Sequence, residues 1–263
     1  MSGEFTEGER ERIRGFDARR DKRAGRLAKA FIIIAALLLT LGLFVLVSES
    51  IALNSSVHQK AFNTINLTAQ DISSNPKEQS DPIIIDHHIM EYFGNRDDVI
   101  NVNYFTYDEK AHLRDVKHLV RGFYAFAYVS LLLTIILLIL AYIYMRRAGK
   151  SDKAFLKNAL RVFQIGSGSA AGIWVFLALF FLIGLKRFTG AFMGFHKIFF
   201  PEGNYSFPAS ALIVKVYTEK FFYDVTMLTI KYSMLIFLVV FAITTLLIIF
   251  LNQQKRKSSS ENF

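Results

Sequence analysis

Cysteine is absent from this 263-residue chain, and proline occurs only 4 times. Without Cys there is no disulfide framework, no thiolate zinc site and no cysteine nucleophile. The chain also lacks a Gly-x-Ser-x-Gly elbow, a phosphate-binding glycine loop and a His-Glu-x-x-His pair. Charge is scarce as well, at 20% of residues, and long stretches hold none. In its place stand hydrophobic residues, 52% of the chain, with 26 Phe. The excess falls in blocks about 20 residues long, enough at 1.5 Å per residue to cross a hydrocarbon core of roughly 30 Å. That pattern excludes a soluble enzyme, a disordered tail and a fibrous protein.

Four such blocks stand out, at 27–47, 123–145, 165–185 and 232–251. Their apolar runs are continuous, so they read as helices and not as the alternating strands of a membrane barrel. The third is diluted by Gly166, Ser167, Gly168 and Ser169, small residues suited to close helix packing. Basic residues set the orientation. Nine Lys and Arg lie between Arg10 and Lys29, six more between Arg146 and Arg161, and Lys255, Arg256 and Lys257 follow the last block. The loop 48–122 carries seven basic against eleven acidic residues. The positive-inside rule therefore places both termini in the cytoplasm and the loops 48–122 and 186–231 outside. The domain plan is a basic cytoplasmic tail at 1–26, a four-helix membrane domain at 27–251 and a second cytoplasmic tail at 252–263. The long n-region and the absence of an Ala-x-Ala site make the first block a retained anchor. The net charge of +9 is read as orientation in a cell membrane, with the bilayer and not nucleic acid as the partner.

The outward loops are too long for simple connectors. Ile83-Ile84-Ile85 reads as a strand, and Val99 to Tyr107 as a second, so a small sheet is expected in the first loop. Thr106 and Glu109 have the spacing of a capping box, which predicts a helix running from there into the second span. On that helix His112 and Asp115 share one face. A carboxylate beside an imidazole supports its protonated form, and the same spacing also makes an ordinary helix ion pair. A straight helix would hold His112 about 16 Å above the apolar boundary at Phe123; a bend at Gly122 would lower it. The second loop surrounds His196 with aromatic residues suited to the headgroup region. By itself His196 is more commonly a simple hydrogen-bonding residue at the interface. Asp86, His87, His88 and Glu91 are a poor ligand set for one ion, so no metal site is expected and no cofactor is called for. His58 has no context, and His118 competes with His112 for Asp115.

Together these features resemble the Lit family of lipoprotein intramolecular transacylases. Four spans carry His112-Leu113-x-Asp115-Val116 before the second and Phe195-His196-x-Ile198-Phe199-Phe200-Pro201-x-Gly203-Asn204-Tyr205-x-Phe207-Pro208 before the fourth. The resemblance covers about residues 30–251. It implies an acyltransferase that moves the sn-2 acyl chain of a diacylglyceryl lipoprotein onto the α-amine of its N-terminal Cys. It also implies that His112 and His196 converge as the catalytic pair, with Asp115 beside the first. Tyr205 stands where the family usually has Trp, and no Pro follows Tyr217.

The chemistry suits these residues. An α-amine with pKa about 7.7–8.0 must lose a proton before attack, and a neutral imidazole is a base of suitable strength. Amine and ester belong to one molecule, so positioning lowers much of the barrier and no protein nucleophile is required. The expected fold is an all-α membrane protein with four transmembrane helices and a small extracytoplasmic α+β cap. The favoured split of roles has His112 as base, oriented by Asp115, and His196 as oxyanion stabiliser or proton donor; the reverse split stays open. Asn204 and the aromatic side chains of Phe199, Phe200, Tyr205 and Phe207 would hold the glyceryl region of a membrane lipid or lipoprotein. The competing function is a non-enzymatic membrane protein that binds lipid or a partner through its cap.

Overall fold

The computed structural model describes residues 7–72, 81–182, 185–203 and 205–260. Among them every regular element is a helix: α1 (Glu7–Ala52), α2 (Ser55–Thr64), α3 (Ala69–Ile72), α4 (Pro82–Gly94), α5 (Tyr107–Arg147), α6 (Asp152–Leu182), α7 (Leu185–Phe199), α8 (Leu212–Val216) and α9 (Glu219–Ser260). Four of them, α1, α5, α6 and α9, are long and apolar enough to cross a bilayer. They leave large side chains such as Leu37, Leu132, Ile135, Phe176 and Leu246 exposed. In water such faces would be a liability; in hydrocarbon they meet their natural solvent.

The expected α+β cap is corrected to a helical one: no strand occurs among the described residues. Ile83-Ile84-Ile85 belongs to α4. Asp81 caps that helix by accepting the Ile83 N–H at 2.8 Å, and Pro82 occupies the first turn, where a missing N–H costs nothing. The buried residues Ile85, Ile89 and Tyr92 then follow at helical spacing. β-Branched propensity was the weaker signal, overridden by the cap and by this stripe. Val99 to Thr106 is irregular chain that buries Ile100 and Phe105.

The chain divides into two compact units. The first comprises 1–42, 128–171 and 236–263. Its packing uses small residues: Ala28, Ala35 and Ala141 are fully enclosed. A Cβ added at Gly168 would lie 3.1 Å from Phe241 Cδ2, so this glycine lets α6 approach α9 closely. Polar side chains join helices there, with Gln164 Nε2 donating to Thr245 Oγ1 at 2.7 Å and Thr134 Oγ1 to the Ala35 carbonyl at 3.3 Å.

The second unit comprises 43–127 and 172–235. Its core gathers Phe62, Ile85, Ile89, Tyr92, Phe105, Leu113, Val216 and Phe221. Lys117 is buried at 1% exposure, yet its ammonium is satisfied. It donates to Asn95 Oδ1 at 2.8 Å and the Asp97 carbonyl at 2.6 Å, and lies 3.9 Å from the Tyr92 ring centre. Those bonds fasten the 95–98 turn to α5.

Candidate active site

The second unit brings His112 and His196 together. Their ring centres are 6.2 Å apart and the planes are inclined by 21°. Each reaches that place through local sequence. His112 stands in the second turn of α5, whose start is fixed by the expected capping box. The Thr106 N–H donates to Glu109 Oε2 at 2.8 Å, and the Glu109 N–H returns to Thr106 Oγ1 at 3.3 Å. The other carboxylate oxygen of Glu109 does something that spacing alone does not reveal. It accepts the Ile213 N–H at 2.9 Å, tying the start of α5 to the start of α8. His196 stands in the last turn of α7, immediately before Phe200 and the chain reversal at Pro201. Gly203 completes that reversal with φ +80°, a conformation that favours glycine, and its N–H donates to the Phe200 carbonyl at 3.1 Å.

Aromatic rings enclose both imidazoles. Phe200 and Phe207 lie 5.0 and 5.5 Å from His112, and Phe192, Tyr205 and Phe200 lie 4.3, 5.3 and 5.6 Å from His196. Phe199 packs on Phe195 at 4.6 Å and on Phe123 at 5.5 Å. So four of the five proposed substrate contacts are grouped here; the fifth, Asn204, lies outside the described residues. His118 is exposed and takes no part in this group.

The two rings differ in their hydrogen bonding. His196 Nδ1 lies 2.8 Å from the Phe192 carbonyl oxygen, which can only accept. Nδ1 therefore carries a hydrogen, and in the neutral ring Nε2 holds the lone pair. His112 is buried, and its Nδ1 has no hydrogen-bond partner among the described residues. Asp115 thus does not hold that nitrogen.

A cavity of about 450 Å³ opens beneath the pair. One wall is a stripe of α5 at helical spacing: His112, Val116, Leu119, Val120 and Phe123. That stripe is about 16 Å long and reaches the apolar boundary. An apolar slot thus runs along α5 from His112 to Phe123. Its far wall includes Phe188, Phe192 and Phe195 of α7.

A third histidine also lines this cavity. His58, only 2% exposed, lies on the buried face of α2 with Ala61 and Phe62. Its Nδ1 is 2.6 Å from Asp86 Oδ1, and its Nε2 is 2.8 Å from the Ala52 carbonyl. Both partners are acceptors, so the pair holds one hydrogen more than a neutral imidazole and a carboxylate would bring. The Tyr217 hydroxyl donates to the same Asp86 oxygen at 2.7 Å. Burial, with the Asp86 charge beside it, holds that phenol well above its ordinary range. Neither loop shows this triad by its spacing; the one available signal was a polar residue on the apolar stripe of each helix. The neighbouring candidates are spread apart. His88 Nδ1 meets the Tyr104 hydroxyl at 2.7 Å, and His87 faces Glu91 at the surface. Burial pushes the Tyr104 phenol up to about 12.

This architecture has a solved counterpart. The lipoprotein intramolecular transacylase Lit from Bacillus cereus, a membrane integral protein, superposes with a TM-score of 0.64 at 15% identity, covering 89% of this chain and 99% of that one. Two variants of it, with one histidine replaced by arginine or by alanine, match with TM-scores of 0.55 and 0.56 at 17% and 15% identity. They cover 95% and 89% of this chain and 99% and 97% of their own. At such identities the likeness shows the fold. The family model for lipoprotein intramolecular transacylase Lit matches residues 31–222, well over half of the chain. The chain belongs to the Lit family. Among curated proteins none matches it. Lit proteins are acyltransferases, so this chain is an integral membrane acyltransferase with a role in lipoprotein acyl transfer. The stretch matched to Lit contains both converging histidines and the aromatic loop between α7 and α8.

Proposed function

We propose that the chain transfers the sn-2 acyl chain of a diacylglyceryl lipoprotein to the α-amine of its N-terminal Cys, at the outer face of the membrane, with both termini cytoplasmic. The observation that carries this reading is the His112–His196 pair set over an apolar slot. An acyl chain fits the slot, and its ester carbonyl then lies beside the imidazoles.

The hydrogen bond at His196 favours the reverse of the split of roles read from sequence. Nε2 of His196 takes a proton from the attacking amine nitrogen as the C–N bond forms. The proton of a neutral His112 belongs on Nε2, because its Nδ1 faces apolar rings, and that N–H can donate to the carbonyl oxygen as it becomes an oxyanion. When the tetrahedral intermediate collapses, the carbon–oxygen bond breaks and His196 returns the proton to the leaving glyceryl oxygen. Asp115 supports any positive charge on His112, and Asn204 is proposed as a second contact to the glyceryl region. Aromatic walls keep water from competing with the amine. Holding both reactants of one molecule in place supplies the remaining advantage.

The test is tandem mass spectrometry of a synthetic diacylated lipopeptide after incubation with the protein in liposomes. The intact mass stays constant, while the fragment bearing the N-terminal nitrogen gains the acyl mass and the glyceryl fragment loses it. Wild-type protein that leaves the acyl position unchanged refutes the reading.

A further inference from the structure

The proton count of that reaction leaves one proton without an acceptor. An ammonium and an ester yield an amide, an alcohol and one released proton. His196 carries a single proton from nitrogen to the leaving oxygen and ends as it began. The first proton, lost when the ammonium becomes a nucleophilic amine, needs another destination.

The cavity wall holds one candidate. Glu49, in the last turn of α1, is 6% exposed and lines the same cavity as His58, His112 and His196. Its Oε2 is buried and makes no hydrogen bond among the described residues. Among those residues the other titratable groups on the wall are the three histidines and Tyr217, and the wall carries no lysine, no arginine and no second acid. A carboxylate buried without a partner is costly, so such a group persists where a partner arrives with the ligand.

Building on the function proposed above, we propose that Glu49 is the docking site for the substrate's primary ammonium group and the acceptor of its first proton. The ammonium donates a hydrogen bond to Oε2. The N–H bond then breaks with its electron pair left on nitrogen, the proton moves to the carboxylate, and the neutral amine turns to the ester carbonyl. After amide formation Glu49 releases the proton to solvent.

Two measurements test this. In the first, transfer by wild type and by Glu49→Gln is followed with the diacylated lipopeptide between pH 6 and pH 9. Glu49→Gln depends on amine already neutral in solution, whose pKa is about 7.7–8.0. Its rate at pH 6.5 falls by about 20-fold and climbs by up to about tenfold per pH unit until it levels off near pH 8, while wild type is flatter. In the second, binding is measured with an unreactive ether-linked lipopeptide, either with a free amine or N-acetylated. Wild type prefers the free amine by about tenfold and Glu49→Gln shows no preference. A Glu49→Gln protein with the wild-type rate and pH profile overturns the proposal, as does wild type that binds both ether lipopeptides equally. If Glu49→Gln does not fold, Glu49→Met replaces it, and the preference of wild type decides alone. Absence of transfer by wild type refutes the acyl-transfer reading; the ether-lipopeptide arm still decides on Glu49.

Discussion

Replacing Glu109 with Gln tests whether the two halves of the site are held by one carboxylate. Glu109 is 1% exposed. One oxygen accepts the Thr106 N–H and hydroxyl, both at 2.8 Å, and the other accepts the Ile213 N–H at 2.9 Å. Gln offers a single acceptor oxygen and an NH₂ group in the same shape. Whichever way it turns, a backbone N–H faces the NH₂, either the part-buried one of Thr106 or the buried one of Ile213. Leaving one such donor unsatisfied costs about 1–3 kcal/mol, and losing the charge weakens the bond that remains. A total of roughly 2–4 kcal/mol follows. For a chain of this size each kcal/mol moves Tm by about 2–4 °C, so Tm falls by roughly 5–15 °C. Trp174 is the only tryptophan, and it packs 4.6 Å from Phe44 within the same compact unit as Glu109. Its fluorescence in a thermal ramp therefore reports on that unit. Acyl transfer should fall too, below the melting range, because His112 lies one turn along α5 from Glu109. A Glu109→Gln protein that melts within 1–2 °C of wild type and transfers acyl chains normally would refute the reasoning.

The remaining expectations concern the histidines, the buried triad and the topology. His112→Ala and His196→Ala each lower transfer by about 100-fold or more, and the double variant is little worse than the worse single one, by the same mass-spectrometric assay. His58→Ala leaves the buried Asp86 without its imidazole partner, so it destabilises by about 3–5 kcal/mol in thermal unfolding; wild-type stability would remove the case for the shared hydrogen. The Tyr104 phenol titrates at about 12 in the folded protein against 10.0 ordinarily. The unfolded chain therefore loses that proton first, so its stabilising contribution is full below pH 10 and is lost as pH rises towards 12; Tyr104→Phe should flatten Tm across that window. Because the chain has no Cys, single cysteines at Asn63, Glu202 and Lys150 label on a clean background. Impermeant reagent should reach the first two from outside and the third only from the cytoplasmic side.

The four long helices, the capping box at Thr106 and the facing of His112 and His196 were all open to a reader of the sequence. Each rests on a local signal: an apolar run, a three-residue spacing, or motifs already met in a family. Ile83-Ile84-Ile85 reads as a strand because three consecutive Ile residues carry a strand preference, while the decisive Asp81-Pro82 start of α4 is a two-residue signal. With a strand at Ile83 to Ile85, nothing placed Asp86 on a buried helical face, and its bond to His58 could not be anticipated. Glu49 lies just past an apolar block, where an acid reads as a boundary marker. That it is enclosed follows only from the packing of α1 with α5 and α7 around the cavity, which no spacing records.

The bond from His196 to the Phe192 carbonyl has a wider consequence. It joins residues four apart on one helix, so the lone pair at Nε2 is prepared within a single turn of α7. The rings that shape the slot come from elsewhere as well, including Phe123, Phe200 and Phe221. The imidazole of His196 and part of the slot are thus written in separate stretches of the chain. Substituting the slot can alter which acyl chains are accepted without altering the imidazole that acts on them, a division that would let such enzymes diverge in lipid preference while keeping one reaction.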